Sequence, residues 1–180
     1  ALTGTDRLAE AAKQVHCDIY VNVQGDEPTV DPTDIRRCIE MKSKYPDRII
    51  NGYCWISEND DPNNINLPKV ITNEKDDLVY MSRAALPAFK DRANAPKRYK
   101  KQVCIYGFSL IELEVFAHYG RKSQLELAED IEILRFFELG RRITMFECHA
   151  GSIAIDVPSD VDKAEKALGK SALAKPSDVN

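Results

Sequence analysis

The chain has 180 residues and a net charge of −4, enough length for one domain with a real core and too acidic a balance for a general nucleic-acid binder. No apolar run nears the ~18 residues of a membrane span. Five scattered cysteines (Cys17, Cys38, Cys54, Cys104, Cys148), with no CxxC pair, read as reduced thiols of a cytoplasmic protein rather than a disulfide frame or zinc site. The three histidines, His16, His118 and His149, lack metal-ligand spacing and read as surface or core residues.

In chain order, Thr5 is a good N-cap, and Leu8, Ala12 and Val15 fall at helical spacing, which predicts a helix from about Asp6 to Val15. The small residues Thr3 and Gly4 before it suit close approach of an anion or a base, or an ordinary capped start. Next comes the stretch that organises the rest, Asp18-Ile-Tyr-Val-Asn-Val-Gln-Gly-Asp-Glu-Pro-Thr-Val-Asp-Pro32. Its first half reads as a short buried strand. Gly25, Pro28 and Pro32 then break it, with Asp26 and Glu27 beside the break. In an open α/β sheet, ligands bind outside the carboxyl ends of strands, so Asp26 suits a divalent metal held against phosphate, or a solvated acidic turn.

A second helix is expected from Thr33, with Ile35, Ile39 and Cys38 inward, ending before Pro46. Strands follow at Ile49–Ile56, Lys69–Thr72 and Leu78–Met81. Arg83 sits just past the last, where it can fork onto a carboxylate or phosphate. Phe89 to Lys101 is basic and irregular and reads as an exposed, mobile loop. Val103–Phe108 is a strand, Ser109 caps a helix, and Leu125–Leu139 reads as one long helix stopped by Gly140. Strands at Arg142–Glu147 and Ser152–Val157, a helix from Ser159 to about Leu168 and a frayed tail from Gly169 complete the pattern. The alternation predicts an α/β fold with a mixed, mostly parallel sheet and flanking helices, residues 1–168 forming one domain. Asp26 and Asp156, both at strand ends, are then placed to meet in one crevice. No Walker loop, GxGxxG, GxSxG or Ser/His/Asp set competes with a metal-nucleotide reading.

Thr3-Gly-Thr-Asp-Arg-Leu-Ala-Glu10, Val21-Asn-Val-Gln-Gly-Asp-Glu-Pro28, Lys69-Val with Tyr80-Met-Ser-Arg83, Ile105-Tyr-Gly-Phe108, Glu126, Glu129, Glu132 to Arg135 and Ile155-Asp-Val-Pro158 occur in the order seen in CMP-Kdo synthetases, the 3-deoxy-manno-octulosonate cytidylyltransferases. The chain resembles that family from residue 2 to about residue 168. The resemblance implies the nucleotide-diphospho-sugar transferase type of fold and a Mg²⁺-dependent transfer of CMP from CTP to the anomeric hydroxyl of Kdo or a Kdo-like sugar. Pyrophosphate leaves, and the product serves lipopolysaccharide or surface-polysaccharide synthesis. Thr3, Gly4, Arg7 and Gln24 would bind nucleotide. Arg83, Gln102, Tyr106, Glu132 and Ile133 would face the sugar, and Asp26 and Asp156 would hold the metal. The family is usually homodimeric and cytoplasmic, with no nucleic-acid or membrane partner.

Two departures stand out. The family opens with a strand and a basic loop that grips the triphosphate, roughly seventy residues that this chain is expected to lack. Family members also commonly carry His where this chain has Gln102, and Gln where it has Ile133. Those changes remove a titratable ring and hydrogen-bonding capacity, which suggests a modified Kdo; the alternative places Ile133 in the helix-packing core. Other readings are a synthetase for another ulosonate of the CMP-sialic acid type, a metal-dependent glycosyltransferase and an inactive nucleotide-fold fragment. Pro28 occupies the place of the second ligand that an Asp-x-Asp glycosyltransferase would need.

Overall fold

The computed structural model describes residues 3–25, 27–57, 60–149, 155 and 158–169. Its elements are α1 (Gly4–Ala12), β1 (Tyr20–Val23), α2 (Pro32–Lys44), β2 (Ile49–Trp55), β3 (Lys69–Thr72), β4 (Leu78–Ser82), β5 (Lys100–Phe108), α3 (Leu110–His118), α4 (Gln124–Glu129), α5 (Ile133–Glu138), β6 (Ile143–Glu147) and α6 (Pro158–Leu168). The expected strand at Ser152–Val157 and the tail beyond Gly169 lie outside the described residues.

β5 organises the sheet, whose strand order is β4–β3–β5–β2–β6 with β1 also on β5. β2 follows one edge of β5 from Ile50 opposite Gly107 to Trp55 opposite Lys100. Two strands share the other edge: β1 beside Ile105–Phe108 and β3 beside Lys100 and Lys101. The gap between them is closed by Gln24 N–H donating to the Cys104 carbonyl and Gln102 N–H donating to the Pro68 carbonyl.

The α/β class with flanking helices is as expected, but the described ladders are antiparallel except β2–β6. A helix crossover returns a chain parallel. Between β2 and β5 the described residues hold a hairpin and a 3₁₀ turn (Arg92–Asn94) and no α-helix, so β5 returns against its partners. β5 also begins at Lys100, earlier than the basic run suggests. The Lys100 ammonium lies over the Tyr53 ring, 4.1 Å from its centroid, and donates to Thr72 Oγ1, so strand and charge coexist.

One sheet face carries Tyr53, Tyr106 and Phe108 and packs on Ala9 and Ala12 of α1, Leu113 and Phe116 of α3, and Leu134 and Phe136 of α5. Phe136 stacks between Phe108 and Phe116 at centroid distances of 5.5 and 4.7 Å. Each such pair adds about 0.5–1.5 kcal/mol beyond its area. The other face carries Ile50, Cys54, Val103, Ile105 and Phe146 beneath Cys38 of α2.

Two helices depart from the sequence pattern. In α2 the inward residues are Asp34, Cys38 and Lys42, while Ile39 is exposed. Lys42 is buried because its ammonium meets both Glu112 oxygens at 2.8 and 2.7 Å and the carbonyls of Pro46 and Arg48. The expected helix Leu125–Leu139 is two helices, broken where Asp130 turns left-handed at φ 51°. Arg83 accounts for the break. Its guanidinium takes the carbonyls of Glu129 and Asp130, which a continuous helix would have used itself. Leu127 consequently points to solvent. Gly140, at φ 67°, ends α5 as expected, with its N–H on the Phe137 carbonyl. α6 begins at Pro158, one residue before the expected cap at Ser159.

Candidate active site

The first turn of α1 is built differently from the expected cap at Thr5. Thr3 is the N-cap, and its hydroxyl accepts from Asp6 N–H. Thr5 is released from capping because its hydroxyl donates to Glu132 Oε2 at 2.6 Å. The same carboxylate accepts the Gly4 and Thr5 N–H groups at 3.0 and 2.9 Å. These are orphan donors of a helix start, so an anion there is favoured by both hydrogen bonding and the helix dipole. A Cβ on Gly4 would lie 3.4 Å from Glu132 Oε1 and 3.9 Å from Gln24 Nε2. Gly4 therefore lets three chain segments meet: the start of α1, the end of β1 and the start of α5.

Asp6 carries the connection further. It accepts from Thr3 Oγ1 and from Arg135 Nη1 at 3.1 Å, while Arg135 makes a two-pronged bond to Glu126 at 2.7 and 2.6 Å. Arg7, in the same turn, is exposed.

At the end of β1 the chain turns, with Glu27 N–H donating to the Gln24 carbonyl. Glu27 is buried, and its carboxylate accepts Cys104 N–H at 3.3 Å. The loop after β1 thus continues the sheet edge with a side chain in place of a strand. On β5, Gln102 and Tyr106 share one face with Cys104. Gln102 Nε2 donates to Tyr106 Oη and Asn51 Oδ1, both at 3.1 Å. Asn51 Nδ2 in turn donates to the Val103 and Ile105 carbonyls at the β2 bulge. Burial pushes the Tyr106 hydroxyl well above its ordinary pKa, and the nearby Cys104, Glu132 and Glu27 add to it. Tyr106 therefore serves as a neutral hydrogen-bonding group. Asn22, opposite Tyr106 in register, has a buried Nδ2 without a hydrogen-bond partner.

Arg83 is tied down from three sides, by the Ile65, Glu129 and Asp130 carbonyls. Glu129 accepts Ser82 Oγ and Arg83 N–H. Burial raises the Glu129 pKa, but these bonds outweigh it and hold the carboxyl below its ordinary value. Those bonds shape the loop around Ile65 and the end of α4. Ile133 is 1 % exposed in the core with Tyr106 and Phe136. That placement removes the argument that its apolar side chain widens the choice of sugar.

A family model described as cytidylyltransferase matches residues 1–143. A 3-deoxy-manno-octulosonate cytidylyltransferase of Geobacter metallireducens is 38 % identical over 93 % of this chain and 70 % of its own. One of Christiangramia forsetii is 36 % identical over 92 % of this chain and 67 % of its own. The chain belongs to the 3-deoxy-manno-octulosonate cytidylyltransferase family. Among solved structures, a CMP:2-keto-3-deoxy-manno-octonic acid synthetase complexed with CTP superposes with a TM-score of 0.81 at 32 % identity, covering 91 % of this chain and 67 % of that one. A glucose-1-phosphate thymidylyltransferase of Bacillus anthracis, at 14 % identity and a TM-score of 0.62, shares the fold.

In this cytidylyltransferase, Thr3, Gly4, Gln24 and Glu132 are brought to one place, with Tyr106 and Gln102 beside it on β5. Arg83 is held by three carbonyls, Ile133 lies in the core, and Arg7 is exposed on α1. Asp26 and Asp156 lie outside the described residues, and no group of three or more metal-ligating side chains occurs among the described ones. Sequence reasoning missed Thr5, Asn22 and Asn51. The signal for the first two was present: both are polar residues inside the specific motifs.

Proposed function

We propose that the chain transfers CMP from CTP to the anomeric hydroxyl of Kdo or a closely similar ulosonate. The hydroxyl oxygen bonds to the α-phosphorus, the bond to the β-phosphate oxygen breaks, pyrophosphate leaves and the hydroxyl proton is lost. The observation that carries this reading is the meeting of Gly4, Gln24 and Glu132 at the carboxyl end of β1, in a chain of this family. Because Glu132 already occupies the free N–H groups of α1, a phosphate finds no donors there and meets a negative charge. The start of α1 therefore faces the uncharged part of the nucleotide, base or ribose. Tyr106 and Gln102 supply neutral donors and acceptors for sugar hydroxyls.

Phosphoryl transfer needs positioning and charge neutralisation more than a covalent catalyst. Two carboxylates, Asp26 and Asp156, are the donor set that Mg²⁺ takes, and the ion would supply neutralisation of the triphosphate. We read the enzyme as a cytoplasmic homodimer making precursors of lipopolysaccharide or surface polysaccharide. The free cysteines support a reducing compartment, and no helix among the described residues is long and apolar enough to cross a membrane. Pyrophosphate release from CTP and Mg²⁺ with a panel of ulosonates tests the reaction. Turnover highest with Kdo or a Kdo analogue is expected, and none with any ulosonate would overturn the proposal.

A further inference from the structure

We propose that Cys104 is a specificity-determining residue of the sugar half of the site, its side chain forming the part of the β5 wall that a bound ulosonate covers. This rests on the cytidylyltransferase reading above. Between Gln102 and Phe108, every residue of β5 is buried except Cys104. Tyr106 and Phe108 lie under the helices, and Cys104 packs half-buried against the same cluster, so the cover on this face gives way at Cys104. The backbone is also distorted there. Asn51 of β2 stands opposite Tyr106 and Gly52 opposite Val103, which leaves Cys104 and Ile105 opposite no β2 residue. The buried Asn51 amide holds this bulge by donating to the Val103 and Ile105 carbonyls at 3.0 and 2.9 Å. Bulges re-aim side chains and recur beside active sites.

The other edge of Cys104 is gripped by the loop after β1. Its carbonyl accepts Gln24 N–H, and its own N–H donates to Glu27 Oε1, both at 3.3 Å. Gln24 lies beside Gly4, whose N–H is held by Glu132. Cys104 thus stands where the motif loop, α1 and the start of α5 converge. On the same face the Tyr106 hydroxyl accepts from Gln102 Nε2 and is hydrogen-bonded to the Cys104 side chain. A thiol is a weak donor, a weak acceptor and otherwise a small apolar group. A sugar hydroxyl turned toward it exchanges water for a poor partner. The wall therefore selects a ulosonate that presents an apolar edge to β5.

The experiment uses Cys17→Ser, which removes the exposed thiol, and follows maleimide labelling by peptide mass spectrometry with Mg²⁺ withheld. Cys104 is expected to label well before Cys38, Cys54 and Cys148. Kdo at about ten times its Kd should slow that labelling about tenfold by mass action, and CTP alone should change it by less than about twofold. In the second arm, Cys104→Leu is expected to lower kcat/KM for Kdo about tenfold to a hundredfold, with the calorimetric Kd for CTP within about twofold of wild type. Cys104→Ala should raise KM for Kdo about threefold to tenfold and narrow its lead over bulkier ulosonates, and it carries this arm if Cys104→Leu does not fold. Labelling of Cys104 no faster than of the three buried thiols overturns the proposal. So does protection by CTP equal to that by Kdo, or a shift in CTP affinity as large as the shift for Kdo. If the wild-type protein transfers CMP to no ulosonate, the functional reading fails, while protection by Kdo alone still decides whether Cys104 lines a sugar site.

Discussion

Arg135→Met should be among the most damaging single substitutions in the chain. The Arg135 side chain is 0 % exposed and that of Glu126 1 %. The guanidinium donates to both Glu126 oxygens, to Asp6 Oδ1 and to the Phe116 carbonyl, and lies 3.6 Å from the Phe116 ring centroid. Met fills the volume but leaves Glu126 as an unpaired buried carboxylate. Removing one partner of a buried pair costs about 3–5 kcal/mol. At roughly 2–4 °C per kcal/mol for a chain of this size, Tm should fall by roughly 6–20 °C. Arg135→Lys keeps the charge but not the fork, so it should lose about half as much. Urea unfolding followed by circular dichroism reads both. Adding Glu126→Leu to Arg135→Met removes the stranded charge and should recover part of the loss, though Glu126 also accepts Ser123 N–H and caps α4. Stability of Arg135→Met within about 1 kcal/mol of wild type would refute the reasoning, since it would mean that water or rearrangement satisfies Glu126 at little cost.

Three further outcomes follow from packing and charge. Gly52→Ala places a Cβ 2.6 Å from Cys148 Sγ, so it should destabilise by about 1–3 kcal/mol in urea unfolding, and Cys148→Ala in the same chain should relieve it. His149 has a ring pKa raised above 6.5, first by its hydrogen bond to Asp34 and then by the charge of Asp34 and Asp31. The stabilisation from its protonated form is present below pH 6.5 and lost as pH rises through the higher folded value; Asp34→Asn should move the ring titration, followed by NMR, back down. Burial pushes the Cys38 and Cys54 thiols up to about 12 and about 11, and Cys148 up as well, so a thiol reagent at neutral pH should label exposed Cys17 fast and these three only on unfolding.

The sequence pattern was most legible where one local rule decides the outcome. β3, β4 and β6 fall where alternation and turn residues put them, and Gly140 ends its helix as a left-handed residue should. It was least legible where a distant side chain overrides the local pattern. Nothing near Lys42 announces that Glu112, seventy residues on, will bury it. Nothing in Leu125–Leu139 announces that Arg83 will draw two carbonyls out of the helix and split it. The site follows the same division. Gly4 and Gln24 stand out from small-residue and motif chemistry alone, but that Glu132 closes on Gly4 is a tertiary fact. Ile133 follows Glu132 directly and points to the core, as neighbours on a helix must point apart.

Strand directions bear on whether Asp26 and Asp156 can share the proposed metal ion. β1 and β2 both oppose β5, and β6 runs with β2, so β1, β2 and β6 point toward the same end of the sheet. Gly25 follows β1 and His149 follows β6 in that direction, His149 held by its backbone N–H on Asp34 at 3.0 Å. With β5 and β2 between them, the two departures are about 14 Å apart at ~4.8 Å per strand. The chain from His149 to Asp156 reaches up to roughly 23 Å at ~3.3 Å per residue, so Asp156 can span the gap to Asp26. One residue from each departure sharing a single ion is the proposal this supports. Manganese binding followed by electron paramagnetic resonance gives the test without turnover. Asp26→Asn and Asp156→Asn should each weaken binding by about tenfold or more, and the double variant should be little worse than either, because losing one ligand already undoes the shared site. Independent, additive losses would mean two separate ions, and unchanged binding in either variant would remove that residue from the metal site.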